Sequence, residues 1–137
     1  MIDSDIRTLI GLRMAQAREV LGDARIVLDA GGSGRTVVNR AYYGAFYAVL
    51  ALLQIVGKTP RGHHGAIVLF GEHYVKTMLL PRDAADDLHF LFESRQEDDY
   101  RRTEPVTKED AELALERAER FCETVRQYLA SKDLLDL

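Results

Sequence analysis

The 137 residues include a single cysteine, no tryptophan, only three prolines and no excess of basic charge. With Cys122 alone, neither an internal disulfide nor a cysteine-cluster metal site can form, and such sparing use fits a reducing compartment. Eighteen basic residues against 22 acidic ones leave a formal charge of −4. A chain that coats nucleic acid by bulk electrostatics carries the opposite balance, so any RNA contact here has to be local. There is no long hydrophobic run either. The uncharged stretch from Ala41 to Gly57 is shorter than the roughly 20 residues needed to span a bilayer, and it contains three tyrosines and Gln54. It predicts a buried central helix. The opening MIDSDIRTLIGLR places acidic residues where a secretory leader is basic and has no apolar run or small-residue cleavage site. The expectation is a cytoplasmic protein that does not enter membranes. No alternating segment reads as a strand, no glycine-rich phosphate loop follows one, and no serine or cysteine nucleophile has a positioned base. No cofactor is expected.

What is present is helical periodicity, with glycine and proline falling between the periodic segments. A first helix is expected from about Asp5 to Leu28, capped by Asp3 or Ser4, with Ile6, Leu9, Ile10, Arg13, Ala17, Val20, Leu21, Ala24 and Val27 on its stripe. Ser33 caps a second, whose face carries Val37, Ala41, Gly44, Ala45, Ala48, Ala51, Leu52 and Ile55; the small residues admit close approach of another helix. Gly57 and Pro60 close it. A shorter third helix covers about Gly62 to Val75. Pro81 opens a fourth from Arg82 to Tyr100, which ends before Pro105. Thr107, with Asp110 three residues on, starts a fifth whose stripe is Ala111, Ala114, Leu115, Ala118, Phe121, Val125, Tyr128 and Leu129. The pattern predicts an all-α, up-and-down bundle of four long helices and one short one, forming one domain over residues 1–131 with a loose tail at 132–137.

Three places break the pattern. On the fourth helix, the core line Ala84, Leu88, Leu91, Phe92 arrives at Arg95 and then Asp99. Asp99 is four residues beyond the arginine and Asp98 three, so a carboxylate can orient the guanidinium. This is either an ordinary helix-end ion pair or the floor of a phosphate-binding cleft with Tyr100, Arg101 and Arg102 nearby. On the second helix, Asn39, Arg40, Tyr42 and Tyr43 make a polar and aromatic first turn, which is either a solvated helix start or part of the same cleft. The segment from Lys58 to His64 brings basic and titratable groups to a helix start, where an anion is favoured. His63 and His64 are adjacent and point apart, and His73 and His89 lack ligand spacing with an acidic partner, so no metal site is expected.

The segment from Asn39 to Leu53, NRAYYGAFYAVLALL, resembles the second-helix signature of the HEPN domain family. Phe92 to Tyr100, FESRQEDDY, resembles that family's later arginine motif, and the likeness continues over His63 to Thr77. Together it covers most of residues 5–131. The resemblance implies a helical bundle that forms a homodimer, with the arginine motifs of two subunits meeting in a shared cleft. It also implies a nucleotidyltransferase-fold antitoxin as partner in a two-gene toxin–antitoxin module.

Active ribonucleases of that family carry a histidine four to six residues after the arginine and cut RNA without a metal. Here Gln96, Glu97, Asp98, Asp99 and Tyr100 follow Arg95, and then Arg101, Arg102, Thr103, Glu104 and Pro105, with no histidine. The expected function is therefore binding of RNA or a nucleotide through Asn39, Arg40, Tyr43, His64 and Asp99 around Arg95. Tyr100 is either a catalytic group beside Arg95 or the acceptor of an adenylyl group from the partner. Cleavage of RNA and an inert interaction module are the alternatives, since tyrosine, with an ordinary pKa near 10, is a poor base at neutral pH.

Overall fold

Helices account for most of the described residues in a computed structural model that describes residues 3–100 and 104–135, the side chains of 96–100 excepted. In chain order these are α1 (Ser4–Asp29), α2 (Gly34–Val56), α3 (Gly62–Phe70), α4 (Arg82–Tyr100) and α5 (Lys108–Ser131). No strand occurs among the described residues. The bundle is all-α, and α2 runs through its middle, packing on α1, α3, α4 and α5.

Local chemistry sets the boundaries. Asp3 accepts the amides of Asp5 and Ile6 at 2.7 and 3.1 Å and so caps α1. Ser33 Oγ accepts the Thr36 amide at 3.2 Å to start α2, and Gly57 ends it in the left-handed conformation at φ 68°. Thr107 and Asp110 form a reciprocal capping box at the start of α5. The expected third helix spans its full length but changes pitch. After Phe70 the chain continues as a π-helical turn, Gly71–Val75, which holds Phe70 and Tyr74 on the core side with their rings 6.1 Å apart.

The core is built on the small face of α2. Val37, Ala41, Ala45, Ala48, Ala51 and Leu52 are fully buried. A Cβ placed on Gly44 would lie 2.5 Å from Leu21 Cδ2, so the glycine is what lets α1 approach there. At the far end Phe70, Tyr74 and Phe121 fill the space between helices, and the Tyr74 hydroxyl donates to the Leu52 carbonyl at 2.6 Å. That bond satisfies a hydroxyl whose burial would otherwise be costly.

Two expectations about the core need correction. On α1 the inward line is Ile10, Met14, Ala17, Ala24 and Leu28, while Leu9 is 39% exposed. The buried line thus takes in Met14 and leaves Leu9 toward solvent, while Leu21 of the expected stripe meets Gly44. The turn after α5 is also not wholly loose. Leu134 is buried in the main core, its amide bonds the Leu129 carbonyl at 2.9 Å, and Arg7 donates to the Asp133 carbonyl.

Among the described residues, one charged group lies inside. Asp87 on α4 is 1% exposed and accepts hydrogen bonds from two arginines of α5. Arg117 Nε reaches Oδ1 at 2.7 Å, while Arg120 Nε and Nη2 reach Oδ2 and Oδ1 at 2.9 and 2.6 Å. Burial by itself raises the carboxyl pKa; the bonds from Arg120 and Arg117 outweigh it and hold the group below the ordinary carboxylate value. Arg117 also lies over the Phe90 ring, 4.2 Å from its centroid. This clamp ties α4 to α5 about two turns ahead of Arg95.

Candidate phosphate-binding site

Helical spacing puts Tyr42 and Phe46, and Tyr43 and Tyr47, one turn apart on α2. Their rings form a continuous aromatic group, with Tyr42 fully buried and Tyr43 and Phe46 half-buried. The Tyr42 and Phe46 centroids are 6.0 Å apart, and Tyr43 meets Tyr42 edge-on at 5.4 Å. Phe92 of α4 closes the inner side, 6.0 Å from Tyr42.

Arg95 comes to this group from α4. Its Cζ lies 5.1 Å from the Tyr42 centroid and 5.6 Å from that of Tyr43, and the residue is half-buried. Arg40 approaches Tyr43 from α2 itself, with Cζ 5.2 Å from the ring centroid. The Asn39 side-chain oxygen accepts from Arg40 Nε and Nη2 at 3.2 and 2.7 Å. Two guanidiniums therefore share one tyrosine ring, each within cation–π range, and the asparagine fixes the plane of one of them. The structure thus brings together Asn39, Arg40, Tyr43 and Arg95. The side chains of Asp99 and Tyr100, and those of Gln96 to Asp98, lie outside the described residues.

Of the two adjacent histidines, the one at the cluster is His63. Its ring stacks on Phe46 at 4.4 Å, sits 5.5 Å from Tyr42 and meets Tyr43 edge-on at 5.6 Å. The Tyr42 hydroxyl and His63 Nδ1 are 2.7 Å apart in a hydrogen bond. Burial, and then the positive charge of Arg95, lower the His63 pKa from its ordinary 6.5. Burial raises that of Tyr42, with Arg95 opposing and Tyr43 reinforcing, so the phenol stays protonated. His64 is exposed and opens onto a different recess of about 500 Å³, shared with Lys76, His89, Phe92 and Glu93. Phe92 thus packs on the aromatic cluster and also lines this recess. Among the described residues no group of three His, Cys, Asp or Glu side chains stands close enough to hold a metal ion, and no helix is long and apolar enough to cross a membrane.

The HEPN domain model matches residues 11–128. The chain belongs to the HEPN family. It is similar to a Methanocaldococcus jannaschii protein named "Putative toxin MJ0142", with 34% identity over 98 residues that cover 72% of this chain and 67% of the relative. A second protein of that organism, named "Putative toxin MJ0605", is 30% identical over 129 residues, covering 94% of this chain and 95% of the relative. A Thermotoga maritima protein named "UPF0332 protein" is 30% identical over 114 residues, 83% of this chain and 86% of that protein. Within the HEPN match, Asn39, Arg40, Tyr43 and Arg95 carry both sequence motifs. Sequence reasoning missed the central place of Tyr42 and the choice of His63 over His64. The uncapped start of α3, where Arg61 makes no side-chain cap bond, left the phase of the two histidines open.

Proposed function

We propose that this HEPN domain is the toxin-like member of a two-gene module and that its Arg95 cleft binds the phosphates of RNA or a nucleotide. The observation that carries this reading is the pair of guanidiniums, Arg40 and Arg95, gathered over the Tyr43 ring at 5.2 and 5.6 Å. Guanidinium offers a planar fork of donors that matches phosphate, and the half-buried Tyr43 ring beside it suits a stacked base. The net charge of −4 argues that this attraction is local and not a property of the whole surface. The names of two relatives, each beginning "Putative toxin", support pairing with a neutralising partner; the proposed partner is a nucleotidyltransferase-fold antitoxin that adenylylates Tyr100. Dimerisation with the two arginine motifs facing one another completes the proposed cleft.

Binding is tested with a fluorescent single-stranded oligoribonucleotide in chelator, titrated at several salt concentrations. Arg95→Ala and Arg40→Ala are each expected to weaken binding by about tenfold or more, the value of a lost charge-assisted contact, and to flatten the salt dependence. Equal affinity of wild type and both variants refutes the site. Sedimentation tests the homodimer. Co-expression with the nucleotidyltransferase, followed by intact mass and peptide mapping of Tyr100, tests the partnership; neither co-elution nor added adenylyl mass would remove it.

A further inference from the structure

The recess of about 500 Å³ formed by α3, the π-helical turn and α4 has the size of a small-molecule site. Ile67 and Phe92 line it with apolar surface, while Glu72 and Glu93 bring two carboxylates. Those carboxylates are uncommitted. Elsewhere Asp87 is held by Arg117 and Arg120, Glu119 by Arg25 and Glu123 by Arg126, whereas neither Glu72 nor Glu93 has a hydrogen bond or ion pair with any described residue. Gly71 opens the π-helical turn, a feature found frequently at functional positions, and it too borders the recess. A Cβ built on it meets nothing within 4 Å, so its missing side chain relieves no clash and leaves open space. The recess also neighbours the arginine cleft. Phe92 packs on Tyr42 while lining the recess, and Arg95 follows it by three residues, about 4.5 Å along the axis of α4. A strand with a phosphate on Arg95 therefore has a base within reach of this space.

We propose that the recess is a base-selecting subsite that takes guanine from single-stranded RNA whose phosphates lie on Arg95 and Arg40. This rests on the reading that the Arg95 cleft binds RNA phosphates. Two carboxylates disfavour a phosphate in the recess itself and suit a neutral base that offers donors. Of the four bases, guanine alone presents two adjacent donors, N1–H and the 2-amino group, which a single carboxylate accepts together. Adenine and cytosine place an acceptor nitrogen beside the amino group, and the N–H of uracil lies between two carbonyls. Each of these would set a lone pair against the second carboxylate oxygen. Lys76, also at the recess, is a donor suited to guanine O6. Phe92 gives the base a face on which to stack. His64, expected from the sequence to bind nucleotide, is exposed at this same recess, where a ring N–H suits the N7 acceptor.

The test uses the full chain and five fluorescent single-stranded oligouridylates in chelator, with guanosine, inosine, adenosine, cytidine or uridine at one central position and affinity read by anisotropy. The guanosine oligomer is expected to bind about tenfold tighter than those with adenosine, cytidine or uridine, within the usual worth of a two-bond base contact. Inosine, which lacks the 2-amino group, should fall between. The double variant Glu72→Gln with Glu93→Gln should bind all five within about threefold of one another, because it loses the two-bond contact and keeps the arginines. Gly71→Leu should do the same by filling the recess. Gly71 has an ordinary right-handed conformation at φ −59°, so this change should not lower the melting temperature. Arg95→Ala should weaken binding of all five alike and leave the guanosine preference unchanged. Equal affinity of wild type for the five, tightest binding of another base, or a guanosine preference that survives in either folded recess variant overturns this inference and leaves the binding reading standing. Failure of wild type to bind any of the five overturns the binding reading itself, and the inference with it.

Discussion

Substituting Gly44 by alanine tests how tightly α1 and α2 are fitted. In an exposed helix interior this change would stabilise by about 1 kcal/mol, because alanine restricts the unfolded chain and favours the helix. Here the new Cβ would lie 2.5 Å from Leu21 Cδ2 and 2.7 Å from Leu21 Cγ, whereas carbon atoms settle at about 3.5–4.0 Å. Turning χ2 of the leucine moves Cδ2 away but leaves Cγ in place, so Leu21 has to change its χ1 rotamer or α1 itself has to shift. Overpacking of this kind costs about 1–3 kcal/mol. Set against the helix gain, the expected net effect is a loss of up to about 2 kcal/mol, a fall in melting temperature of up to roughly 8 °C for a domain of this size. The assay is thermal and urea unfolding of four proteins: wild type, Gly44→Ala, Leu21→Ala and the double variant. Leu21→Ala alone should cost roughly 1–2 kcal/mol, and in its background Gly44→Ala should become neutral or stabilising. If Gly44→Ala raises stability in the wild-type background as much as it does beside Ala at position 21, the glycine is not there for close approach and the reasoning fails.

Three further outcomes follow from other parts of the fold. Asp87→Asn should lower stability at pH 7, because Arg117 and Arg120 lose an ionised acceptor. Since the native pKa is depressed, the wild-type advantage is present above the unfolded value of about 3.9 and is lost as pH falls from about 5 toward 2; a gap that stays constant on acid titration would contradict it. Thr107→Ala removes one half of the α5 capping box and should cost about 1 kcal/mol by urea unfolding, with loss confined to a few tenths showing that the cap is idle. Burial pushes the Cys122 thiol up to about 12, with Glu119 adding to it, so a thiol reagent at neutral pH should label the protein only as fast as it opens. Fast labelling of the folded state would mean that α2 and α5 part locally.

The helices were legible because their signals are local. Ser33, Gly57, Pro81 and the Thr107–Asp110 pair each act within one turn, and the structure places helix ends beside all of them. The inward path of α4 could also be read, since Ala84, Leu88 and Leu91 are buried and Arg95 follows on the same side. What stayed hidden depends on partners distant in sequence. Asp87 is one of several acidic residues near the start of α4, and only the fold brings Arg117 and Arg120 to it from 30 and 33 positions away. The close fit of Leu21 of α1 over Gly44 of α2 pairs two residues 23 positions apart, which no periodicity within α1 encodes. The choice between His63 and His64 turns on about 100° of helix phase, decided by a tyrosine 21 positions earlier.

Phe92 acts as a thin partition. Its ring stands 6.0 Å from Tyr42 on one side and walls the His64 and His89 recess on the other. Shaving it to alanine would deepen that recess inward as far as the buried Tyr42 ring, giving the protein engineer a place to seat a small aromatic molecule against the tyrosine that carries Arg95.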